Sequence, residues 1–336
     1  MSSTWKGKYG PLLIAEIGGN HEGDMEYARR LTNLAIESGA DYVKFQLYSG
    51  DTLVSRLENP QRNKHFKKFE LSKDNYIELA EACKSQGVGF MASVWDPAYF
   101  EWIDPYMNIY KIGSGDLTAY PVLRETALMK KPILLSTGLA NQNEVEKSVR
   151  YLQGLDKRYL SGDYLAVLQC TSMYPIPARD ANLAVMNAYR SALQLPVGYS
   201  DHTEGSKALI TAVAMGAEIL EFHFTDSREG KEFRDHKVSL TIDEVKELIS
   251  EILQIEELKG NSKKEPLDIE ADHVVSFRRS LYPKFDLPKG TTLDENNLIA
   301  LRPNTGIDAR EFENILGKKT KIDLTAHQKM SWEMLE

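Results

Sequence analysis

Short apolar runs rich in Ile, Leu, Val and aromatic residues recur along the chain, each of strand length and bounded by polar or glycine-containing stretches. They fall at 12–17 (LLIAEI), 41–47 (DYVKFQL), 88–93 (VGFMAS), 109–114 (IYKIGS), 132–137 (PILLST), 165–172 (LAVLQCTS), 197–202 (VGYSDH) and 218–224 (EILEFHF). Between them the apolar spacing changes to three and four, which predicts helices over 24–38, 72–86, 141–154, 181–194 and 205–216, with 242–259 after the last strand. Asp24 and Ser72 stand where N-caps belong, and Gly39 and Gly87 where C-caps belong. Eight strands alternating with helices predict a parallel sheet, and eight is the number that closes a TIM barrel. An open doubly wound sheet is the alternative, disfavoured because no G-x-G-x-x-G follows the first strand.

From about residue 260 the pattern changes. NSKKEPLDIE (261–270) is polar and reads as a connecting arm, and beyond it come short β-prone pieces separated by turn signals. The expected organisation is a barrel over 1–259, a linker over 260–275 and a small β-rich domain over 276–336. A chain of 336 residues is long enough to bury a large core and a small one. Its formal net charge of −8 argues against nucleic acid or an anionic membrane as the main partner. The start, MSSTWKGKYG, lacks the apolar centre of a signal peptide, and no run of about 18 apolar residues follows. Cys83 and Cys170 sit in different units without metal-type spacing, which suits a reducing cytoplasm.

In a TIM barrel the active site lies at the C-terminal strand ends. Here those ends are polar: Glu16, Lys44 with Gln46, Ser93, Lys111 with Ser114, Ser136 with Thr137, Ser172 with Tyr174, Ser200 with His202, and His223. His202 and His223 close two runs one strand–helix unit apart. If those runs are neighbouring parallel strands, their backbones lie roughly 4.8 Å apart and both imidazoles can reach one divalent metal. Lysines are rarely buried alone, so Lys44 and Lys111 at strand ends point to a bound anion. With Ser93, Ser114, Ser136 and Ser200 they make a cradle for phosphate and carboxylate.

Each of these residues also has an ordinary reading. A lone strand-end serine is usually a loop residue, and either lysine can form a structural ion pair with Glu16, Asp116 or Glu221. A lone His202 is more often a hydrogen-bonded core histidine than a ligand, and His21, in GGNHEG, divides evenly between structure and function. His65, His236, His273 and His327 read as surface or supporting residues. The constellation, rather than any single member, points to chemistry.

At these positions the chain resembles the sialic acid synthase family, phosphoenolpyruvate-dependent synthases of nine-carbon 2-keto-3-deoxy sugar acids that include legionaminic and pseudaminic acid synthases. The carriers are AEIGGNHEGD (15–24), VKFQ (43–46), YKIGSGD (110–116), LLSTG (134–138), QCTSMYP (169–175), YSDHTEG (199–205), EFHFT (221–225) and DHKVSL (235–240). The tail RRSLYPKFDLPKGTTLDENNLIALRPNTG resembles that family's antifreeze-like (SAF) domain. The resemblance implies that Lys44, Ser93, Lys111, Ser114, Ser136 and Ser200 hold phosphoenolpyruvate. It implies a divalent metal, Mn²⁺ before Mg²⁺ or Co²⁺, on His202 and His223. Gln46, Asp116, Ser172 and Tyr174 would face the acceptor sugar, and Glu16 and Asp235 would handle protons or orient water. Arg302, in LRPNTG, would cross from the partner in a domain-swapped homodimer and contact the sugar. Some members carry Glu at Asp116 and Asn at Ser172, and SREGKEFRDH (227–236) replaces the more usual Pro-Gly-Pro. The expected reaction joins phosphoenolpyruvate to N-acetylmannosamine, its 6-phosphate or a related deoxy sugar. The alternatives are a metal-dependent sugar-phosphate aldolase or epimerase, and a non-catalytic sugar- or ice-binding protein.

Overall fold

The computed structural model describes residues 4–336 and divides into two compact units, one ending at Gly260 and the other spanning Asn261–Glu336. After a two-residue strand β1 (Lys6–Gly7) come β2 (Gly10–Glu16), β3 (Tyr42–Leu47), β4 (Gly89–Val94), β5 (Met107–Ile112), β6 (Ile133–Ser136), β7 (Leu165–Cys170), β8 (Val197–Asp201) and β9 (Ile219–His223). From β2 to β9 each strand pairs in parallel with the next, and β9 returns to β2, so the first unit is the closed TIM barrel that the alternation predicts. The predicted strands fall on the observed ones with ends displaced by a residue or two.

Alternate residues of each strand face the barrel axis, and along every strand these positions change character. Nearer the N-terminal ends they are apolar: Leu12, Ile14, Met91, Ile109, Leu134, Ala166, Leu168 and Ile219 form one cluster with Trp5 and Tyr42. Two residues further on the same face turns polar, with Glu16 after Ile14, Lys44 after Tyr42, Ser93 after Met91, Lys111 after Ile109, Ser136 after Leu134 and Glu221 after Ile219. Register sets these groups level. Glu16 lies opposite both Lys44 and His223, Ser93 opposite Gln46 and Lys111, and Ser200 opposite Cys170 and Glu221. The outward strand faces pack beneath the helices in a second, larger core that includes Leu13, Val43, Phe45 and Val167. At Gly198 an added Cβ would stand 2.2 Å from the Ile219 carbonyl oxygen and 2.6 Å from Leu168, so only glycine lets the barrel interior close there.

The helix punctuation follows the sequence. The Asp24 carboxylate accepts the Tyr27 amide, Ser72 and Asn75 make a reciprocal capping box, and Gly39 and Gly87 leave their helices at φ of +96° and +70°. Two predicted helices are shorter than their patterns, at Val185–Leu193 and Lys207–Ala214. Several others, the one-turn helices Gly50–Leu53 and Phe100–Ile103 among them, were not predicted. Pro60–Lys68 buries only Asn63, so it has no apolar stripe to reveal it, and Tyr120–Leu128 is a short helix of nine residues with Pro121 at its second position. No helix among the described residues is long and apolar enough to cross a membrane.

In the second unit, the stretch read as a linker contains a helix at Ala271–Ser276. Strand β10 (Ser280–Pro283) pairs antiparallel with β11 (Leu298–Leu301), and single bridges such as Leu287 with Leu324 tie in the remaining turns. This unit has its own core, built on Leu281, Leu293, Ile307, Ile315, Leu324 and Met330.

Candidate active site

A cavity of about 1250 Å³ opens over the C-terminal strand ends of the barrel. Of the barrel residues singled out from the sequence, Glu16, Lys44, Gln46, Ser93, Lys111, Ser114, Asp116, Ser136, Ser172, Tyr174, Ser200, His202, His223 and Asp235 line it, and the strand-end Thr137 does not. Arg302 lies in the second unit, exposed, with its guanidinium 5.1 Å from the centre of the Phe277 ring.

Four buried charges occupy the bottom of the cavity. Lys44 Nζ lies 2.6 Å from Glu16 Oε2, and Gln46 donates to Glu16 Oε1 at 2.7 Å. Glu221 sits between the lysines, 3.8 Å from Lys44 and 3.6 Å from Lys111. Ser200 donates to Glu221 Oε1 at 2.8 Å, while Oε2 is buried with no hydrogen-bond partner. Lys111 donates to Ser136 Oγ at 2.6 Å and to the Ile112 carbonyl at 3.2 Å. An unpaired buried charge would be prohibitive, and two lysines against two glutamates leave the group neutral. The ion-pair reading of the lysines holds, with Glu16 and Glu221 as the counter-ions. Burial and the neighbouring Glu221 raise the Glu16 carboxyl against the pull of Lys44. Burial would raise Glu221 too, but Lys111, Lys44 and the Ser200 hydroxyl outweigh it and hold Glu221 below its ordinary value. An entering anion would thus meet one carboxylate ready to take a proton, Glu16, and one that resists it. Sequence reasoning admitted Glu221 only as a counter-ion. Its position two residues before His223, on the same strand face, was the signal for a site residue.

The His202 and His223 rings stand 5.2 Å apart, centre to centre. His202 Nδ1 donates to the Thr171 carbonyl at 2.7 Å, which leaves Nε2 as its lone-pair nitrogen, and His223 Nδ1 is buried without a partner. Burial, reinforced by the His202 charge, holds His223 well below the usual imidazole value. Burial also opposes a charge on His202, but the Cys170 thiol and the Thr171 carbonyl outweigh it and raise that ring. Among the described residues no cluster of three or more His, Cys, Asp and Glu side chains is arranged to hold a metal. The pair can supply one ring nitrogen from each histidine, and the His223 ring has a buried nitrogen, Nδ1, without a partner, which fits a divalent ion that takes its other ligands from water or substrate.

Aromatic and loop residues cover this centre. Tyr174 packs against His202 with the ring centres 4.0 Å apart and the planes tilted by 39°, and meets His223 edge-on at 5.5 Å. Ser114 accepts the Gly138 amide at 3.0 Å, and a Cβ on Gly138 would lie 2.3 Å from Ser172 Oγ, so the two serines close around that glycine. Burial raises the Asp116 carboxyl to about 6. Asp235 is buried and raised by that burial against the pull of Arg234, and Ser239 donates to its backbone carbonyl at 2.7 Å. Ser239 in turn accepts from Asn20, whose neighbour His21 accepts the Gly23 amide, so the GGNHEG loop props the site while His21 stays out of the cavity. The outer wall was not legible in the sequence. Arg62, His65, Phe66 and Phe69, on and after the unpredicted basic helix Pro60–Lys68, line it together with Phe233 and Arg234.

The match to known proteins covers both units. The NeuB family model matches residues 31–264 and the SAF domain model residues 278–336. The chain is 37% identical over 340 residues to N,N'-diacetyllegionaminic acid synthase of Legionella pneumophila, covering 97% of this chain and 94% of that protein. It is 32% identical over 345 residues to N-acetylneuraminate-9-phosphate synthase of Mus musculus, with coverage of 98% and 94%. Among solved structures, the N-acetylneuraminic acid (sialic acid) synthetase of Leptospira borgpetersenii, in complex with citrate, superimposes with a TM-score of 0.72 at 31% identity, covering 78% of this chain and 90% of that one. A closed barrel with a polar rim, a C-terminal β unit and these matches agree: the chain belongs to the NeuB family, whose named relatives are synthases of sialic-type acids, and carries a SAF domain at its C-terminal end.

Proposed function

We propose that this enzyme condenses phosphoenolpyruvate with an N-acetylated amino sugar to give a nine-carbon 2-keto-3-deoxy acid and phosphate. The acceptor class is N-acetylmannosamine, its 6-phosphate or a related deoxy sugar. The observation that carries this reading is the convergence of two buried lysines, four serines and two histidines on one cavity at the C-terminal barrel face.

Lys44 and Lys111, with Ser93, Ser114, Ser136 and Ser200, bind the phosphate and carboxylate at fixed positions. That is the preorganised electrostatic stabilisation that usually dominates catalysis. Gln46, Asp116, Ser172 and Tyr174 form the acceptor wall. A divalent metal on His202 and His223, Mn²⁺ in preference to Mg²⁺ or Co²⁺, supplies a Lewis acid for the open-chain aldehyde when bound. C3 of the enol attacks the aldehyde carbon, water adds at C2, and phosphate leaves with cleavage of the C2–O bond. Glu16, already raised by burial, takes and returns a proton beside Lys44, and Asp235 orients the water. Arg302 of a second copy reaches the acceptor in a domain-swapped homodimer.

The test is phosphate release from phosphoenolpyruvate with Mn²⁺ across a panel of amino sugars. Turnover requires both substrates and is abolished by His202→Ala or by His223→Ala. Full activity in either variant, or turnover of a sugar phosphate without phosphoenolpyruvate, overturns the reading.

A further inference from the structure

The segment 227–236 departs from the motif the family resemblance leads one to expect, and its structure is pinned at several points. At its start, Asp226 accepts from the Tyr27 hydroxyl at 2.6 Å and from Arg30 at 2.7 Å. Arg228 grips the Glu244 carboxylate through both terminal nitrogens and donates to the Ser239 carbonyl at 2.7 Å. Phe233 packs against Phe69 at 5.0 Å between ring centres and fills the space beside Gly19, where a Cβ would come within 3.0 Å of it. The next residue, Arg234, is therefore delivered to a fixed place on the cavity wall.

Arg234 lays its guanidinium over the Tyr174 ring at 4.3 Å and donates from Nε to Asp235 Oδ1 at 2.9 Å. Its side chain is 63% exposed, and among the described residues its two terminal nitrogens have no protein hydrogen-bond partner. A guanidinium carries five N–H donors in a rigid fork, so stacking and one bond to Asp235 leave an edge of donors unused. The residues it touches are two that flank the histidine pair, Tyr174 directly against His202 and Asp235 beside the cavity. An arginine placed against a ring and bonded to a carboxylate is partly oriented before any ligand arrives, which favours a directed donor.

We infer that Arg234 is an acceptor-binding residue, whose free N–H groups take an oxygen of the amino sugar, a hydroxyl or the amide carbonyl, at the outer end of the cavity. This rests on the synthase reading above and assigns to segment 227–236 the task of presenting that donor. The measurement is steady-state phosphate release by the full-length protein with Mn²⁺, varying the acceptor at saturating phosphoenolpyruvate and then the reverse. Arg234→Gln raises the acceptor KM by about tenfold or more, the usual effect of losing a hydrogen bond to a charged donor, and leaves the phosphoenolpyruvate KM within about twofold. Arg234→Lys recovers only part of the loss, because an ammonium lacks both the fork and the flat face. An unchanged acceptor KM in Arg234→Gln, a parallel rise in the phosphoenolpyruvate KM, or full recovery by Arg234→Lys overturns the assignment. Absence of phosphoenolpyruvate-dependent phosphate release from the unaltered protein overturns the synthase reading itself, and this role with it.

Discussion

Glu221 stands where two ammonium groups would otherwise face each other inside the barrel, so its removal tests what those lysines are for. Glu221→Gln leaves Lys44 and Lys111 with a single carboxylate, and stranding a buried charge in this way costs about 3–5 kcal/mol. Added phosphate or phosphoenolpyruvate should then restore more melting temperature in the variant than it adds to the unaltered protein, because the anion replaces the lost carboxylate. Equal shifts in both would deny that the lysines form an anion site. Titration offers a second measurement. Burial raises Asp116 to about 6, so the folded protein keeps a proton there that the unfolded chain has already released. That contribution is complete below the ordinary carboxylate range and is lost as pH rises through about 6, and Asp116→Asn should flatten melting temperature across that window. His21 runs the other way. Burial lowers it to about 4, so its contribution is present above the ordinary imidazole value and is lost as pH falls through about 4. His21→Gln should soften acid unfolding between those limits. The site's residues were readable because polar groups at the ends of apolar strands have few structural reasons to be there. Arg234 was not, because nothing in a polar loop sequence shows that Phe233 anchors it over Tyr174.

Elements read well where local chemistry decides them. The Ser72–Asn75 capping box is local, and Ser72→Ala should cost about 1 kcal/mol in chemical denaturation. The closure of the strands depends on side-chain volume, which the apolar pattern also carries. Gly198→Ala would push a methyl against the Ile219 carbonyl and Leu168, an overpacking penalty of about 1–3 kcal/mol or more. A melting temperature equal to that of the unaltered protein would show that the interior has slack at this level. Helix Pro60–Lys68 escaped the same reading because a helix that buries one asparagine leaves no periodic trace, and its stability comes from neighbours such as Gly50 and Val54, whose carbonyls the Asn63 amide bonds. The helix at Ala271–Ser276 was missed for a similar reason, since it buries none of its residues.

At the scale of the molecule, the change in composition near residue 260 marks where one core ends and another begins, and each unit has its own apolar cluster. What a single chain's sequence does not carry is how copies combine. If Arg302 serves a neighbour's barrel, mixing inactive His202→Ala and Arg302→Ala proteins should restore about a quarter of the activity in randomly assorted dimers, each mixed pair having one intact site. No recovery in verified mixed dimers would place Arg302 within its own domain. The inward strand positions have a further consequence. Strength and reactivity are stacked as foundation and workshop on the same eight staves: the greasy tier around Leu12, Ile14, Met91 and Leu168 and the charged tier of Glu16, Lys44, Lys111 and Glu221 keep the cylinder whole, and the residues that follow the strands, such as Asp116 and Ser172, are free to be refitted. Exchanges such as Ser172→Asn or Asp116→Glu should therefore shift which sugar is accepted while the melting temperature barely moves.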